Sequence, residues 1–209
     1  MTCMDSPSAK PPAEQARAAE LALVARLRAG DTAAFDVVHA EYNGRLFNFL
    51  ARLSRRREVA EDLLEETWLR FVARAPKLRD DTQLGPFLFT VARNLHVSYC
   101  RSRLIENHHS ISMIGLWPTG TPQPSPFEAT AANEITRRME TALAALPAIY
   151  REALLLIGIE GMTAAEAAVI CGVTAVTMRQ RISRGRAMLT QRLDGTDASS
   201  VLGLSEVTT

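Results

Sequence analysis

Arginine residues are concentrated near the C-terminal end of the sequence, between residues 174 and 192. This segment has no acidic residue, and its five arginines are Arg179, Arg181, Arg184, Arg186 and Arg192. Guanidinium groups donate paired hydrogen bonds to base edges in the major groove and form ion pairs with phosphates. The chemistry that these residue types indicate is the binding of nucleic acid.

The residues directly before the arginines have the pattern of a helix-turn-helix. Residues 163–170 are predicted to form a short helix, and Cys171-Gly172-Val173 a tight turn. Gly172 can adopt the left-handed backbone that such a turn requires, and the small side chain of Ala168 allows two helices to approach closely. The second helix, which is predicted to start at Thr174, is then the one that enters the major groove.

Polar side chains on this second helix are the candidates for contacts with duplex DNA. Those near its start can reach base edges, and those further along can reach phosphates. In chain order they are Thr177, Arg179, Gln180, Arg181, Arg184 and Arg186. The alternative is an arginine-rich helix that is only a solvated surface. The turn pattern before it and the absence of balancing acids favour the DNA interpretation.

A second charged surface has the opposite sign. The segment from Glu58 to Glu66 contains five acids and no base, and the acids recur at spacings that place them on one face of a helix. Like charges at these spacings repel one another and destabilise the helix. A positively charged partner would relieve the repulsion, so this face is a candidate binding surface. A solvated acidic face is the alternative.

Hydrophobic residues recur at helical spacing in most of the chain, and no segment has the alternation of a strand. Helices are predicted over about residues 14–29, 57–74 and 87–103. In the helix over 14–29, the inward residues are Leu21, Val24 and Leu27. In the helix over 57–74, they are Val59, Leu63, Phe71 and Val72. Directly after the helix over 14–29, Gly30 predicts the end of that helix and Asp31 the N-cap of the next one. The next helix carries an inward stripe of Phe35, Val38, Tyr42, Leu46 and Phe49.

Composition separates the remaining segments. Prolines and small polar residues predict a disordered lead over residues 1–13, a linker over 105–130 and a flexible tail over 194–209. The fold class predicted is all-α, with two small helical domains over residues 14–104 and 131–193 that a flexible linker joins. The C-terminal domain contains the helix-turn-helix.

Bulk properties of the chain exclude several classes of protein. Its 209 residues carry a net charge of +1 and only three cysteines, at positions 3, 100 and 171. We therefore expect no disulfide framework, and we expect a cytoplasmic protein without a signal peptide or membrane insertion. His96 and Cys100 do not form a known metal-binding set. No catalytic constellation is evident, so we expect no enzyme activity, cofactor, metal or small-molecule substrate.

Two parts of the sequence resemble the extracytoplasmic-function (ECF) subfamily of bacterial RNA polymerase sigma factors. The segment from Leu146 to Leu189 is similar to the fourth conserved region of that family, with matches at Leu146-Pro147, Glu166, Ala168, Gly172-Val173, Thr177, Arg179, Arg181, Arg184 and Arg186. Residues 30–53, 59–78 and 84–103 resemble the second conserved region in the same order. The most specific piece is AEDLLEETW, residues 60–68.

The resemblance implies a role for each surface. The acidic helix would bind a basic coiled coil of the polymerase β′ subunit through Asp62, Glu65 and Glu66. The arginine helix would read the −35 promoter element. The fourth helix and the loop before it would hold the unwound −10 strand, with Arg79, Phe87, Arg93, Asn94 and Arg101 as candidates. An interior core position is the alternative for Phe87.

Some residues depart from the family pattern. Val176 stands for a usual Gly, Gln180 for a Ser, Phe87 for a Trp and Thr90 for an Arg. Gln180 bears on the −35 sequence that is preferred, and the departures at Phe87 and Thr90 should weaken contact with the −10 strand. Residues 84–87 are where the −10 surface departs most from the family.

The function implied is that of an alternative sigma factor, which binds core RNA polymerase and directs promoter-specific initiation. Its expected partners are the β′ and β subunits of core polymerase, promoter DNA and an anti-sigma factor. Two other functions fit parts of the sequence. One is a helix-turn-helix regulator that acts without core polymerase, and the other is a degenerate sigma-like interaction module.

Overall fold

The structure, a computed structural model, describes residues 13–106 and 134–202, and all of the regular elements in these ranges are helical. The first range contains α1 (Ala13–Arg28), α2 (Thr32–Ser54), α3 (Arg57–Arg74), a 3₁₀ turn (Ala75–Lys77) and α4 (Leu84–Glu106). The second contains α5 (Glu134–Ala144), α6 (Ala148–Leu154), a π-helical turn (Leu155–Ile159), α7 (Ala164–Cys171) and α8 (Ala175–Leu202). The all-α prediction is confirmed.

The connection between α1 and α2 forms as the sequence predicts. Gly30 has a φ of +78°, a left-handed conformation that glycine adopts without steric cost. The Asp31 side chain accepts hydrogen bonds from the amides of Ala33 (2.9 Å) and Ala34 (3.3 Å) and so caps α2. A hydrogen bond from Arg26 holds the pKa of Asp31 below its usual value. These contacts fix the angle at which α1 and α2 pack.

The core of the first unit is built on α2. Val38, Tyr42, Leu46 and Phe49 are buried, as the stripe predicts, while Phe35 is only half-buried. Two predicted inward residues were wrong: Leu21 and Val72 are exposed to 38% and 53%. On an α-helix, each three-residue step falls about 60° short of a full turn, so Leu21 rotates away from Leu27. Val72 follows the buried Phe71 by one residue, about 100° around the helix, and so faces away from the core.

Helix α4 begins at Leu84, three residues before the predicted start at Phe87. A carboxylate oxygen of Glu20 in α1 accepts a hydrogen bond from the Leu84 amide at 2.8 Å. This satisfies one of the amides that a helix start leaves unpaired. Pro86 then falls within the first turn, where its missing N–H removes no helical hydrogen bond. The capping residue lies 64 positions away in the sequence, and no local pattern indicates it.

The second unit, α5–α8, packs around an arginine. Arg151 of α6 is 6% exposed, and its Nη1 donates a hydrogen bond to the Ala144 carbonyl oxygen at 3.0 Å. Burial lowers the pKa of Arg151 to about 10, so it stays charged at neutral pH. Pro147 lies directly before α6. Helix α8 continues to Leu202, past the predicted boundary of the second domain at residue 193.

The two units pack against each other and share one hydrophobic core. Phe89 of α4 belongs to the same cluster of buried side chains as Leu156, Ile170 and Met178 of the second unit. Helix α4 packs along α7, and α2 contacts α6. Most of the predicted linker lies outside the described residues, as do residues 1–12 of the predicted lead. None of the helices in the described ranges is long and apolar enough to cross a membrane.

Acid is expected to destabilise this packed arrangement through His96 of α4. Burial, followed by the positive charges of Arg151 and Arg93, lowers the pKa of His96 from 6.5 to about 4. Between these values the unfolded chain binds a proton that the folded chain excludes, so stability is present above pH 6.5 and is lost as the pH falls. The free energy of unfolding should decrease by about 3 kcal/mol between pH 7 and pH 4 from this group alone.

Urea denaturation at several pH values measures this effect. His96→Gln should flatten the pH dependence, because its side chain does not titrate. His39→Gln, at a half-buried position in α2, is the matched control and should keep the dependence of the wild type. An unchanged slope in His96→Gln would contradict the assignment.

Candidate nucleic-acid interface

The helix-turn-helix is held by local hydrogen bonds that the sequence encodes. Thr163 and Glu166 form a capping box, in which the Thr163 hydroxyl accepts from the Glu166 amide (3.2 Å) and the Glu166 carboxylate accepts from the Thr163 amide (2.7 Å). Gly172 ends α7 with a φ of +64°, and the Val173 amide donates to the Ala168 carbonyl oxygen at 3.0 Å. Both Ala168 and Met178 are buried, so α7 and α8 pack closely. The predicted helix-turn-helix is confirmed.

Replacing Gly172 tests how much the turn depends on its backbone. A Cβ there meets no atom within 4 Å, so the cost of Gly172→Ala comes from the left-handed conformation alone. We expect a loss of about 1 kcal/mol in the free energy of unfolding. Chemical denaturation measures it. Gly158→Ala, which also has open space but no positive φ, is the control and should show no comparable loss.

The exposed face of α8 presents unpaired cations. Arg179, Arg184 and Arg186 are exposed and Arg181 is half-buried, and none of the four forms an ion pair with a residue that the structure describes. Gln180 is exposed as well. The Thr177 hydroxyl lies 2.9 Å from that of Thr174, whose oxygen also accepts from the Thr177 amide (3.1 Å) and caps α8. All six predicted residues therefore lie on one helix, which can present them to a DNA groove.

The acidic residues of α3 are divided into paired and unpaired groups. Glu61 pairs with Arg57 at 2.8 Å and Glu66 with Arg70 at 2.7 Å, each within one helical turn. Their arginines reduce the like-charge repulsion that the sequence predicts. Asp62 and Glu65 are exposed and form no ion pair with other described residues. These two carboxylates are the ones that a basic partner can reach without displacing an arginine.

An apolar groove borders Glu65. Its lining residues come from α2 and α3 and are Phe35, His39, Glu65, Trp68, Leu69, Val72 and Ala73. Leu69 is 60% exposed, and Trp68 is held in place by a hydrogen bond from its Nε1 to the Asn43 side-chain oxygen at 2.9 Å. A helix that binds the carboxylates can therefore also bury apolar side chains here.

The five candidates for the −10 strand do not form one surface. Asn94 and Arg101 are exposed on α4, and Arg79 is exposed in the loop before it, where it pairs with Asp81. Phe87 is half-buried with its ring 6.3 Å from that of Phe71, in agreement with the core alternative. Arg93 points into the second unit, where its Nε donates to Glu152 at 2.9 Å.

The sequence did not reveal that glutamates of the second unit form ion pairs with arginines of the first unit. Glu152 pairs with Arg93, Glu140 with Arg52 (2.7 Å) and Glu160 with Arg45 (3.0 Å). Desolvation raises the pKa of Glu160, while Arg45 opposes the shift. One signal was present: Glu152 lies directly before the apolar run Ala153–Ile157, where a charged residue needs a buried partner. The identity of that partner depends on tertiary structure.

Comparison with known proteins identifies the class first. The family model for sigma-70 region 2 matches residues 38–104, and that for sigma-70 region 4 matches residues 136–189. The two matches fall on the two helical units and include both charged helices. The fold and the surfaces therefore define a sigma-70-type subunit of RNA polymerase.

Relatives define the subfamily. The ECF RNA polymerase sigma factor EcfG of Rhodopseudomonas palustris (strain TIE-1) is 34% identical over 145 residues, which cover 69% of this chain and 77% of that protein. The RNA polymerase sigma factor CarQ of Myxococcus xanthus is 29% identical over 168 residues, 80% of this chain and 94% of that protein. The chain belongs to the ECF family of RNA polymerase sigma factors. It directs transcription initiation, and this family is not a class of enzymes.

A solved structure resembles both units together. The sigma factor RpoE in complex with the anti-sigma factor NepR, from Bartonella quintana, aligns with a TM-score of 0.62 and 29% identity. The alignment covers 77% of this chain and 96% of the other. Each helical unit contains less than half of the residues of the chain. An alignment over 77% of the chain therefore includes parts of both units.

Proposed function

We propose that this sigma factor uses three separate surfaces to recruit core polymerase to a promoter. Asp62, Glu65 and Glu66 on α3 bind a basic coiled coil of β′. Helix α8 binds the −35 duplex, and α4 holds the opened −10 strand. One observation supports the scheme best: the unpaired carboxylates of α3 and the unpaired arginines of α8 lie on different units of the chain. One partner of each charge can therefore bind at the same time.

The −35 contacts divide by position along α8. Thr177, Arg179 and Gln180 lie in the first turns, where a recognition helix meets base edges. Arg181, Arg184 and Arg186 lie further along and bind phosphates, which makes the affinity depend on salt. Val176, in the same first turn, is 56% exposed and brings an apolar side chain to this end. An apolar side chain there can contact a thymine methyl group.

The −10 contacts require a change in Arg93. Asn94 and Arg101 are seven residues apart, about two helical turns, so they face the same side of α4, and both are exposed. Single-stranded DNA needs cations for its phosphates and polar or aromatic groups for its bases. Arg79 can exchange its exposed pair with Asp81 for a phosphate at little cost. Arg93 contributes only after it leaves Glu152.

The remaining assignments follow from this role. The units over residues 14–104 and 131–193 act as sigma regions 2 and 4, with residues 105–130 joining them. The protein acts in the cytoplasm with core polymerase, without catalysis, a cofactor, a metal or a small-molecule substrate of its own. An anti-sigma factor is proposed as a further partner, supported by the RpoE relative that was solved with NepR.

Run-off transcription with purified core polymerase tests the proposal. Promoters selected from genomic fragments that the holoenzyme retains should give transcripts only when core and this protein are both present. A regulator that acts without core would bind the same fragments without initiating transcription. An interaction module would bind core or an anti-sigma factor and would still give no transcript. Either result would overturn the proposed function.

A further inference from the structure

A short loop, residues 78–83, connects the 3₁₀ turn to α4, and the core holds both of its ends. Leu78 at its start and Leu84, the first residue of α4, are buried in the same hydrophobic cluster as Leu27 of α1. Between these ends lies Arg79, which is exposed and is one of the cations proposed for the −10 strand. The path of the loop therefore decides where this cation is presented.

Polar side chains of α1 hold the middle of the loop. Arg17 donates from Nη2 to the Asp81 carbonyl oxygen at 2.7 Å and from Nη1 to the Thr82 carbonyl oxygen at 3.4 Å. Further along α1, Arg28 forms an ion pair with Asp80. The contacts of α1 thus reach three consecutive residues. Because those of Arg17 are made to the backbone, they fix the path of the loop rather than one of its side chains.

Glu20 joins these contacts to the start of α4. One of its carboxylate oxygens accepts from the Leu84 amide at 2.8 Å, and the other accepts from Arg17. The same carboxylate therefore orients Arg17 toward the loop and caps the helix that follows the loop. The ring of Tyr42 lies against the next residue, Gly85, where a Cβ would be 3.4 Å from the Tyr42 hydroxyl oxygen. Helices α1 and α2 together hold the first turn of α4.

The loop in turn holds Arg79. The guanidinium of Arg79 donates to the Asp81 carboxylate from Nε and from Nη2, each at 3.0 Å. The Thr82 amide donates to the Arg79 carbonyl oxygen at 3.1 Å and closes a turn. Since Arg17 binds the Asp81 carbonyl oxygen, a chain of contacts leads from α1 to the exposed cation. A group that is ordered before its ligand arrives loses less conformational entropy on binding.

We propose that Glu20 and Arg17 of α1 are positioning residues for the opened −10 strand, which act through the loop and the first turn of α4 rather than by contact with the strand. The segment that matches sigma-70 region 2 begins at residue 38, so α1 lies before it and the match assigns α1 no role. The inference rests on the proposed function, because it takes from it that α4 and the loop before it hold the strand.

Hydrogen exchange tests whether α1 orders the loop. In the full-length protein, nuclear magnetic resonance should show the Leu84 amide exchanging about tenfold faster or more in Glu20→Ala, because its acceptor is lost. Glu20→Gln keeps an oxygen that can accept and should stay within about threefold of the wild type. Arg17→Ala should raise the exchange rate of the Thr82 amide in the same way. Glu14→Ala, which removes an exposed acid from the first turn of α1, is the matched control and should change neither rate.

Binding of the holoenzyme to a labelled single strand, carrying the −10 element of a promoter that it retains, tests the functional role. Glu20→Ala and Arg17→Ala should each weaken this binding by about tenfold, the order of the cost of ordering one or two side chains on binding. Glu20→Gln should bind as the wild type does. Removal of an acid by itself favours DNA, so a loss in Glu20→Ala has the opposite sign to a general effect of charge, which Glu14→Ala measures.

Core polymerase and the −35 duplex are the reference ligands, and their affinities should stay within about twofold in every variant, because distant sites act independently. A comparable loss for these ligands would overturn the positioning role in favour of a general structural one. Circular dichroism checks folding, and Arg17→Ala, at a side chain that is 34% exposed, decides the test if Glu20→Ala does not fold.

Two further results would contradict the proposal. Wild-type exchange rates in Glu20→Ala and Arg17→Ala would show that α1 does not order the loop, and wild-type affinity for the −10 strand in variants with faster exchange would show that this order does not serve binding. If the wild-type holoenzyme itself did not bind the −10 strand, the proposed function would fail at this surface, while the exchange rates would still decide whether α1 orders the loop.

Discussion

Reversing the two unpaired carboxylates of α3, in the variant Asp62→Lys/Glu65→Lys, is expected to reduce the affinity for core polymerase by about 100-fold. Both side chains are exposed and have no ion-pair partner among the described residues, so the reversal disturbs no contact within the protein. At the interface, it converts attraction to a basic coiled coil into repulsion at two positions. A combined cost of about 3 kcal/mol corresponds to that factor in Kd.

Fluorescence anisotropy with labelled protein and purified core measures the loss. Asp36→Lys is the control, because Asp36 is an exposed acid of α2 outside the acidic face. It should bind within about twofold of the wild type. The binding of the wild type should weaken as salt increases, because exposed charges are screened. If the double reversal bound core as well as Asp36→Lys does, α3 would not be the polymerase-binding surface.

Removing two arginines from α8 is expected to weaken binding to every duplex rather than to one sequence. In Arg184→Ala/Arg186→Ala, the slope of log K against log salt should become shallower by nearly two, because each lost phosphate contact contributes about 0.9. The affinity itself should fall by about tenfold or more at moderate salt. Both side chains are exposed and unpaired among the described residues, so the fold should be unaffected.

Binding of holoenzyme to promoter duplexes at several salt concentrations separates the two kinds of contact. Gln180→Ala should keep the salt slope of the wild type and change the preference among −35 sequences, because base contacts specify and phosphate contacts position. Arg137→Ala, on the exposed side of α5, should leave both properties unchanged. An unchanged salt slope in the double arginine variant would assign the phosphate contacts to another surface.

Local features of the fold were predictable because they depend on neighbouring residues. The helix end at Gly30, the cap at Asp31 and the turn at Gly172 each use a short pattern with its own stereochemistry. The resemblance to ECF sigma factors added the order of the two units, and the comparisons confirm that family. The early start of α4 was not predictable, since its cap is supplied by Glu20 of α1.

The candidate surfaces that depend least on tertiary contacts were the ones that the sequence predicted best. The arginines of α8 lie on the one helix that the turn pattern before them predicts. On α4, the family resemblance placed Arg93 among the residues that would hold the −10 strand. The structure shows that α4 packs on α7 and that Arg93 meets Glu152. Periodicity identifies the side of a helix that a residue occupies, but it does not identify which other unit covers that side.

The pair of Arg93 and Glu152 has a consequence for how this chain can diverge. A substitution at Arg93 that altered −10 preference would also leave a carboxylate that is 1% exposed without its cation. Such a change could persist only with a compensating change at Glu152, in the other unit. Positions 93 and 152, on the two units of the chain, are therefore coupled, and a change at one has to be matched at the other.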